Sequence, residues 1–421
     1  MCRLTAYLGR PTLAADLVTR PSRSVIRQSF DARERLGGSG GEVYDRGHLN
    51  ADGFGLGWYT VPDPEAANPE DLMPCVFKEV GPAWHNRNLH RLCQKIRSPI
   101  LLAHVRAAGP GMGVSQDSCH PFEWGRYLFM HNGQVAGYRK IRRKLMDCLS
   151  QCAYDFCIAN SASDSALSFA LFIDQLEDPL APISPQELQL KLVKVIRRIT
   201  QALDEAGVVE TSLLNFVITD GTALVATRFA CNKMPECKSA TLYYSSGSSF
   251  EPSSVASEPP DTNADDCTKV HLDGMAQVCE YRILHEDKRD DMVIVTSEPL
   301  TAVRADWCVC VCVCVSVCVL CICVCMYMHT YIYLCIYLYI YIYIYIYIYR
   351  IPVPHNHIVV VTPLRQVLIS PVVLEAECEG GEYRGEREIR QGDAAVGLEG
   401  GAEEGERIAG TPIGVGLFCM Y

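Results

Sequence analysis

The run from Cys308 to Tyr349 limits what this chain can fold into, because two residue types alternate in it almost without variation. Valine alternates with cysteine in its first part, and isoleucine alternates with tyrosine in its last part. A GT repeat in a coding sequence yields Val-Cys and an AT repeat yields Ile-Tyr, so the run looks like a translated microsatellite. Such low complexity lacks the varied side chains of a packed core. The folded part of the chain is therefore expected on either side of it.

A membrane anchor is the alternative interpretation of the same run. About 20 apolar residues suffice for a spanning helix, and the run from 308 to 349 is longer than that. However, alternating β-branched and aromatic residues favour a strand, and an isolated strand cannot satisfy its backbone in lipid. We therefore predict that the run is retained non-coding sequence and that the protein does not need a membrane.

Charge and cysteine content exclude several classes of function. The net charge of −11 argues against a nucleic-acid binder, and the basic run Arg139 to Lys144 is expected to be a solvated helix face. Of the 22 cysteines, nine lie between Cys308 and Cys335, and the others lack paired CxxC spacing, so we expect no metal site and no disulfide framework. The first residues lack a secretory signal, which predicts a reducing, cytoplasmic location.

Strand and helix signals follow one another in an order that favours α+β layering. Apolar runs predict strands, and polar caps before apolar periodicity predict helices. The predicted strands are Cys2 to Leu8, Ile100 to Val105, Tyr127 to Met130, a hairpin of Leu213 to Thr219 with Ala223 to Arg228, and Asp291 to Thr296; the predicted helices are Ser163 to Gln175 and one that starts at Ser184.

The sequence divides into four segments on these grounds. Residues 2–307 form the main domain, with a mobile loop at 245–266 that is rich in Ser, Pro, Asp and Glu. Residues 308–349 are the low-complexity run, and residues 350–373 are the displaced final strands of the same domain. Residues 374–421 form an acidic tail rich in Gly and Glu, which we expect to be disordered.

Cys2 combines a thiol and a free α-amine in one residue once Met1 is removed. An α-amine and a thiol ordinarily titrate within about one pH unit of each other. The amine can therefore accept the thiol proton near neutral pH, directly or through a water molecule. This pairing makes Cys2 a candidate nucleophile that carries its own base.

Four motifs, the first of which contains Cys2, follow one another along the chain. They are Met-Cys2-Arg-Leu, Asn50-Ala-Asp-Gly-Phe-Gly-Leu-Gly-Trp58, Ala103-His-Val-Arg106-Ala-Ala, and His131-Asn132-Gly133 followed by Ser163-Asp164-Ser165. In this order they resemble the class II glutamine amidotransferases, which are N-terminal nucleophile hydrolases. The resemblance covers the chain from Cys2 to about Gln175. It implies an α+β fold, the four-layer αββα sandwich of that type, and thiol-dependent hydrolysis of a γ-glutamyl amide.

The resemblance also implies a role for each matching residue. Cys2 is the nucleophile, while the side-chain amide of Asn132 and the backbone N–H of Gly133 form the oxyanion hole. Arg106 binds the substrate α-carboxylate and Asp164 binds its α-ammonium group. No cofactor and no metal are implied. Many relatives carry Thr or Ser soon after this arginine, where the present chain has two alanines and a glycine.

Within the class, the motifs most resemble the small stand-alone branch of the fungal glutathione-degradation subunit and the bacterial ergothioneine-pathway γ-glutamyl hydrolase. This resemblance implies glutathione as the first candidate substrate and a metallopeptidase-like protein as partner. Hydrolysis of another γ-glutamyl thiol, or of glutamine, is the alternative within enzymes. A membrane-tethered or inactive structural protein is the alternative from another class. His104, His120 and His131 are expected to be structural rather than catalytic bases.

Overall fold

The computed structural model of the protein describes residues 2–33, 49–60, 73–109, 113–231, 239–253, 279–284, 291–301, 353 and 355–374. The low-complexity run and the acidic tail after Leu374 lie outside these residues, as does most of the predicted loop at 245–266. Predictions about those segments therefore stay predictions.

Two antiparallel sheets form the centre of the structure. The first has six strands in the order β10-β13-β1-β4-β2-β3. These strands are β1 (Arg3–Leu13), β2 (Phe54–Trp58), β3 (Cys75–Glu79), β4 (Arg97–Val105), β10 (Tyr243–Gly247) and β13 (Met292–Thr296). A separate two-stranded ribbon pairs β11 (Ser249–Pro252) with β12 (Tyr281–Leu284).

The second sheet has seven strands, six of them in the order β15-β14-β8-β7-β6-β5, with β9 paired to β7. Its strands are β5 (Phe122–Trp124), β6 (Tyr127–Gln134), β7 (Ser212–Thr219), β8 (Leu224–Arg228), β9 (Ala230–Cys231), β14 (His357–Val361) and β15 (Val367–Pro371). Strands from beyond the low-complexity run therefore pair directly with the hairpin of β7 and β8.

Helices cover the outer face of each sheet. The first sheet carries α1 (Ala14–Val18), α2 (Val25–Gln28) and α3 (Arg87–Cys93), while the second carries α4 (Tyr138–Met146), α5 (Gln151–Ala159), α6 (Asp164–Ile173) and α7 (Pro185–Glu205). The last two helices begin at serine N-caps, since Ser163 and Ser184 each accept a backbone N–H from three residues further on. At α7 a proline follows the cap and fixes the first helical residue.

Three buried clusters define the layers between these elements. Successive side chains of a strand point to opposite faces. In β1, Leu4, Ala6 and Leu8 therefore pack between the two sheets, whereas Tyr7 packs against the helices of the first sheet. The third cluster joins the second sheet to α4–α7. The fold is a four-layer αββα sandwich, as predicted from the motifs.

One predicted segment is wrong in its first part. The mobile loop expected at 245–266 begins instead as strand, because Ser245 lies in β10 and Ser249 starts β11. Composition alone misled the prediction: Ser245 and Phe250 are buried, and Phe250 stacks on Tyr281 with ring centroids 4.8 Å apart. Pairing with β13 and β12 then satisfies backbone N–H and C=O groups of this segment.

The membrane-anchor interpretation concerns residues 308–349, which lie outside the described residues. Among the helices of the described residues, none combines the length and the apolar character that crossing a bilayer requires.

Candidate active site

Strand register brings several of the predicted site residues to one end of the first sheet. β1 and β4 are antiparallel, with Arg3 opposite Val105. The residue before β1 and the residue after β4 are therefore neighbours, and these are Cys2 and Arg106. Phe54, which starts β2, is also opposite Val105, so the polar loop before β2 reaches the same place.

The thiol of Cys2 is buried against backbone rather than against an acid or a base. Its Sγ accepts a hydrogen bond from the N–H of Ala107 at 3.4 Å and lies 3.7 Å from the carbonyl oxygen of the same residue. Within the described part of the chain, no histidine or carboxylate side chain bonds to this sulfur. The residue after Arg106 thus positions the candidate nucleophile through main-chain atoms.

Arg106 lies at the wall of a cavity of about 460 Å³. Its guanidinium donates from Nη1 to the carbonyl oxygen of Asp52 at 3.3 Å and from Nη2 to that of Gly113 at 3.1 Å. A guanidinium carries five N–H donors. Two bonds to carbonyl oxygens fix its plane and leave further donors for a carboxylate in the cavity.

Asp52 holds the turn that follows β4 through hydrogen bonds. The motifs did not predict this role. Its N–H donates to the carbonyl oxygen of Arg106 at 3.1 Å, and its Oδ2 accepts from the N–H of Ala108 at 2.8 Å. It also offers the carbonyl oxygen that holds the Arg106 guanidinium. The polar stretch Asn50-Ala-Asp52 before β2 was the available sequence signal, since acidic side chains readily bond to nearby backbone N–H groups.

Asn132 and Gly133 lie inside β6, which continues beyond the predicted strand end at Met130. The Nδ2 of Asn132 donates to Ser297 Oγ at 3.1 Å, and the same hydroxyl oxygen accepts the N–H of Leu4 at 3.0 Å. Ser297 thereby ties the candidate oxyanion donor to the strand that carries Cys2. A Cβ on Gly133 would lie 1.9 Å from the carbonyl oxygen of Leu213, so only glycine fits there.

Asp164 is the first residue of α6 and accepts two backbone hydrogen bonds. Its Oδ2 accepts from Val135 N–H and its Oδ1 from Ser165 N–H, each at 2.9 Å. The carboxylate is nearly buried, and its neighbour Ser163 lines the same cavity as Arg106. The structure therefore links Asp164 to the end of β6, while its two oxygens keep capacity for a further donor.

The three histidines of the motifs form a buried chain. His104 Nε2 lies 3.1 Å from His120 Nδ1 and 3.2 Å from the carbonyl oxygen of His131. His131 bonds through Nε2 to the carbonyl oxygen of Leu213 and through Nδ1 to Ser165 Oγ, each at 2.9 Å. Burial lowers the pKa of His104 to about 3 and also lowers the pKa values of His120 and His131. All three rings are neutral near pH 7 and hold strand ends in place.

This buried chain predicts that the fold loses stability in mild acid. A free histidine titrates near ~6.5, and these rings titrate lower when folded, so below that pH the unfolded chain binds more protons. The free energy of unfolding should fall by ~1.4 kcal/mol per pH unit for each such histidine. Urea unfolding at pH 7, 6 and 5 measures it. His120→Gln should flatten the slope and exposed His85→Gln should not; equal stability at pH 7 and 5 would contradict the assignment.

A buried carboxylate also anchors the start of β1. Glu298 is fully buried, and its Oε1 lies 3.2 Å from Arg3 Nε while its Oε2 lies 3.1 Å from Arg23 Nη2. Arg3 Nη1 in turn donates to the carbonyl oxygen of Cys2 at 3.3 Å. This ion-pair network fixes the backbone next to the thiol. No local motif predicted the role of Glu298, because its partners Arg3 and Arg23 are distant in the sequence.

The sequence matches the family described as "Glutamine amidotransferases class-II" over residues 41–238. A probable glutamine amidotransferase, DUG3 of Saccharomyces cerevisiae, is 37% identical over 320 residues, which are 73% of this chain and 78% of the yeast protein. This chain therefore belongs to the class II glutamine amidotransferases. The family and the enzyme class predicted from the four motifs are thus confirmed.

Two further comparisons concern a shorter relative and a solved structure. The gamma-glutamyl-hercynylcysteine sulfoxide hydrolase of Mycolicibacterium smegmatis is 32% identical over 135 residues, which are 32% of this chain and 52% of that protein. The solved structure of a glutamine aminotransferase class-II domain protein from Silicibacter pomeroyi is 17% identical, covers 88% of this chain and 99% of its own, and has a TM-score of 0.45.

Proposed function

We propose that the chain hydrolyses the γ-amide bond of a small γ-glutamyl compound, with Cys2 as nucleophile after removal of Met1. The observation that carries this proposal is the setting of the Cys2 thiol, which has the backbone of Ala107 as its neighbour and, among the described residues, no side-chain base. A thiol without a side-chain base needs another proton acceptor, and the α-amine of a mature N-terminal Cys2 supplies one.

The first half of the reaction forms a thioester. The α-amine takes the thiol proton, and Sγ attacks the γ-carbonyl carbon of the substrate. The carbonyl oxygen becomes an oxyanion, which the side-chain amide of Asn132 and the N–H of Gly133 stabilise. The C–N bond then breaks, and the leaving amine takes the proton from the ammonium group. The products of this half are a free amine and a γ-glutamyl thioester on Cys2.

The second half releases the γ-glutamyl group. The α-amine accepts a proton from water as the water oxygen attacks the thioester carbon. The same donors stabilise the second oxyanion, and the C–S bond breaks with return of the proton to the thiolate. Glutamate leaves, and Cys2 is restored.

Arg106 and Asp164 are proposed to bind the glutamyl head group. The guanidinium keeps donors that its bonds to Asp52 and Gly113 do not use, and these suit a planar carboxylate. The Asp164 carboxylate is held on backbone N–H groups next to Ser163, which lines the cavity. A cation and an anion in this arrangement would select a free α-amino acid end.

Glutathione is the first candidate substrate, and glutamine or another γ-glutamyl thiol is the alternative. One relative is named a gamma-glutamyl-hercynylcysteine sulfoxide hydrolase, which favours a γ-glutamyl derivative of a cysteine compound over glutamine. We also propose a metallopeptidase-like protein partner and a cytoplasmic location. The described cysteines are all free thiols, as a reducing compartment requires.

The head-group assignment predicts that blocking either end of the glutamyl group lowers turnover. A hydrogen bond to a charged group is worth ~1.5–3 kcal/mol, so α-amidated or N-acetylated analogues should lose about 10- to 100-fold in kcat/KM. Initial rates with glutathione, glutamine, other γ-glutamyl thiols and the two blocked analogues would measure this, with and without the candidate partner.

The matched variant is Arg106→Gln, which removes the positive charge and keeps a polar side chain. In this variant the free and α-amidated substrates should react at similar rates, whereas the penalty for N-acetylation should remain. Thermal melting of the variant reports any loss of the bonds to Asp52 and Gly113 separately. Equal turnover of free and blocked compounds by the unmodified enzyme would refute the head-group assignment.

A further inference from the structure

The cavity beside Arg106 carries more positive charge than one glutamyl head group requires. Four cationic side chains line it, and none of the other described lining residues is acidic. They are Arg106, Arg139, Lys140 and Arg142. A single α-carboxylate would pair with one of these groups only. The excess charge indicates a ligand with a second anionic group.

The additional cations belong to α4, and no described carboxylate forms a salt bridge with them, although Lys140 interacts at longer range with the exposed carboxylate of Glu210. Within the described ranges, Arg139, Lys140 and Arg142 have no carboxylate within ion-pair distance, whereas Arg143 pairs with Asp147 and Lys144 pairs with Glu205 at the end of α7. The chain as a whole has a net charge of −11. A cationic cavity in an acidic protein concentrates anions locally, since its walls focus the field.

The wall that carries these cations is fixed in place. Tyr138, at the start of α4, donates its hydroxyl to the carbonyl oxygens of Ala162 at 2.7 Å and Ser163 at 3.1 Å. Ser161 and Ala162 adopt φ values of 64° and 43°, in the left-handed region that costs non-glycine residues energy. The Oγ of Ser161 also lies 3.1 Å from that of Ser115. The cavity is therefore shaped before a ligand binds.

We infer that Arg139, Lys140 and Arg142 bind the C-terminal carboxylate of a γ-glutamyl peptide, so that the enzyme prefers such peptides to glutamine. This inference rests on the proposed function. In glutamine the leaving group is ammonia, which offers no second anion, whereas the peptide released from glutathione ends in a carboxylate. A cavity of about 460 Å³ lies within the ~300–1,000 Å³ of sites that enclose larger ligands.

The test compares substrates that differ only at that carboxylate. Glutathione, its C-terminal amide and a γ-glutamyl anilide are assayed with the unmodified enzyme, with Lys140→Gln/Arg142→Gln, and with Arg143→Gln/Lys144→Gln. The second double variant is the matched control, because it removes one lysine and one arginine from the same helix without touching the cavity wall. Melting temperatures of all three proteins report stability.

The unmodified enzyme should prefer glutathione over its amide by at least about 10-fold in kcat/KM. Lys140→Gln/Arg142→Gln, which keeps Arg139, should clearly lower this ratio and leave the rate of anilide hydrolysis unchanged, while the control variant keeps the full ratio. A ratio near one in the unmodified enzyme, or an undiminished ratio in the cavity variant, would overturn the inference and leave the proposed function standing if the anilide is hydrolysed. Failure of the unmodified enzyme on every γ-glutamyl compound would overturn both.

Discussion

Replacing Cys2 with alanine is expected to lower the rate of γ-glutamyl hydrolysis by roughly 10⁴-fold or more. The substitution removes the atom that attacks the γ-carbonyl, and no thioester can form without it. The described contacts of the thiol are to the backbone of Ala107 alone, so alanine should leave the fold intact. Initial rates with glutathione and a γ-glutamyl anilide, together with thermal melting, would measure both effects.

Two controls make the Cys2 experiment specific. Cys148→Ala removes an exposed thiol just after the C-terminal end of α4 and should retain full activity. A chain extended before Cys2 by a cleavable segment should be inactive until cleavage exposes the α-amine. The intact mass of active protein should lack Met1. Retained Met1 in fully active protein, or an ordinary rate from Cys2→Ala, would contradict the mechanism.

Local signals were sufficient to predict much of the sandwich. Apolar runs predicted β1, β4 and β6, and two serine caps predicted the starts of α6 and α7, because these signals depend on neighbours a few residues away. The hairpin of β7 and β8 followed from the Asp220-Gly221 turn between two apolar runs. These predictions are confirmed to within a few residues at each boundary.

The parts that depend on distant pairing could not be predicted. The strand that begins at Tyr127 was predicted to end at Met130, yet pairing with β7 continues through Gln134. Ser245 and its neighbours look like a loop by composition, and only the partner strand β13 makes them a strand. The basic face of α4 is exposed, as predicted, but the sequence did not show that it borders the cavity. Its position on the cavity depends on the bond from Tyr138 to the turn at 160–163.

The candidate site shows the same division. The motifs predicted Cys2, Arg106, Asn132, Gly133 and Asp164 as site residues. The residues that connect them are brought together by strand pairing between distant segments, which motifs do not show. The roles of the site residues in catalysis and binding stay predictions, which assays of the substituted enzymes would test. The connecting residues are Asp52, Ala107, Ser297 and Glu298, each of which joins segments distant in sequence.

Asn132→Ala is expected to lower kcat by about 10²- to 10³-fold with little change in KM, which corresponds to about 2.7–4 kcal/mol of transition-state stabilisation. The Nδ2 group carries two hydrogens, and the described bond to Ser297 Oγ uses one of them. The other is free to donate to a negatively charged oxygen, a charge that exists only while the γ-carbonyl is under attack. The loss should therefore fall on kcat, and steady-state kinetics with the γ-glutamyl anilide would measure it.

Asn132 is fully buried in β6, so it could stabilise the fold as well as the oxyanion. The rate of Cys2 alkylation distinguishes these two roles. Iodoacetamide reacts with the Cys2 thiol without forming an oxyanion, so Asn132→Ala should be alkylated at the rate of the unmodified enzyme. Ser297→Ala frees the amide from its anchor but leaves its donors, so its kcat should fall less. If alkylation of Asn132→Ala slows as much as hydrolysis does, Asn132 positions the strand and does not stabilise the transition state.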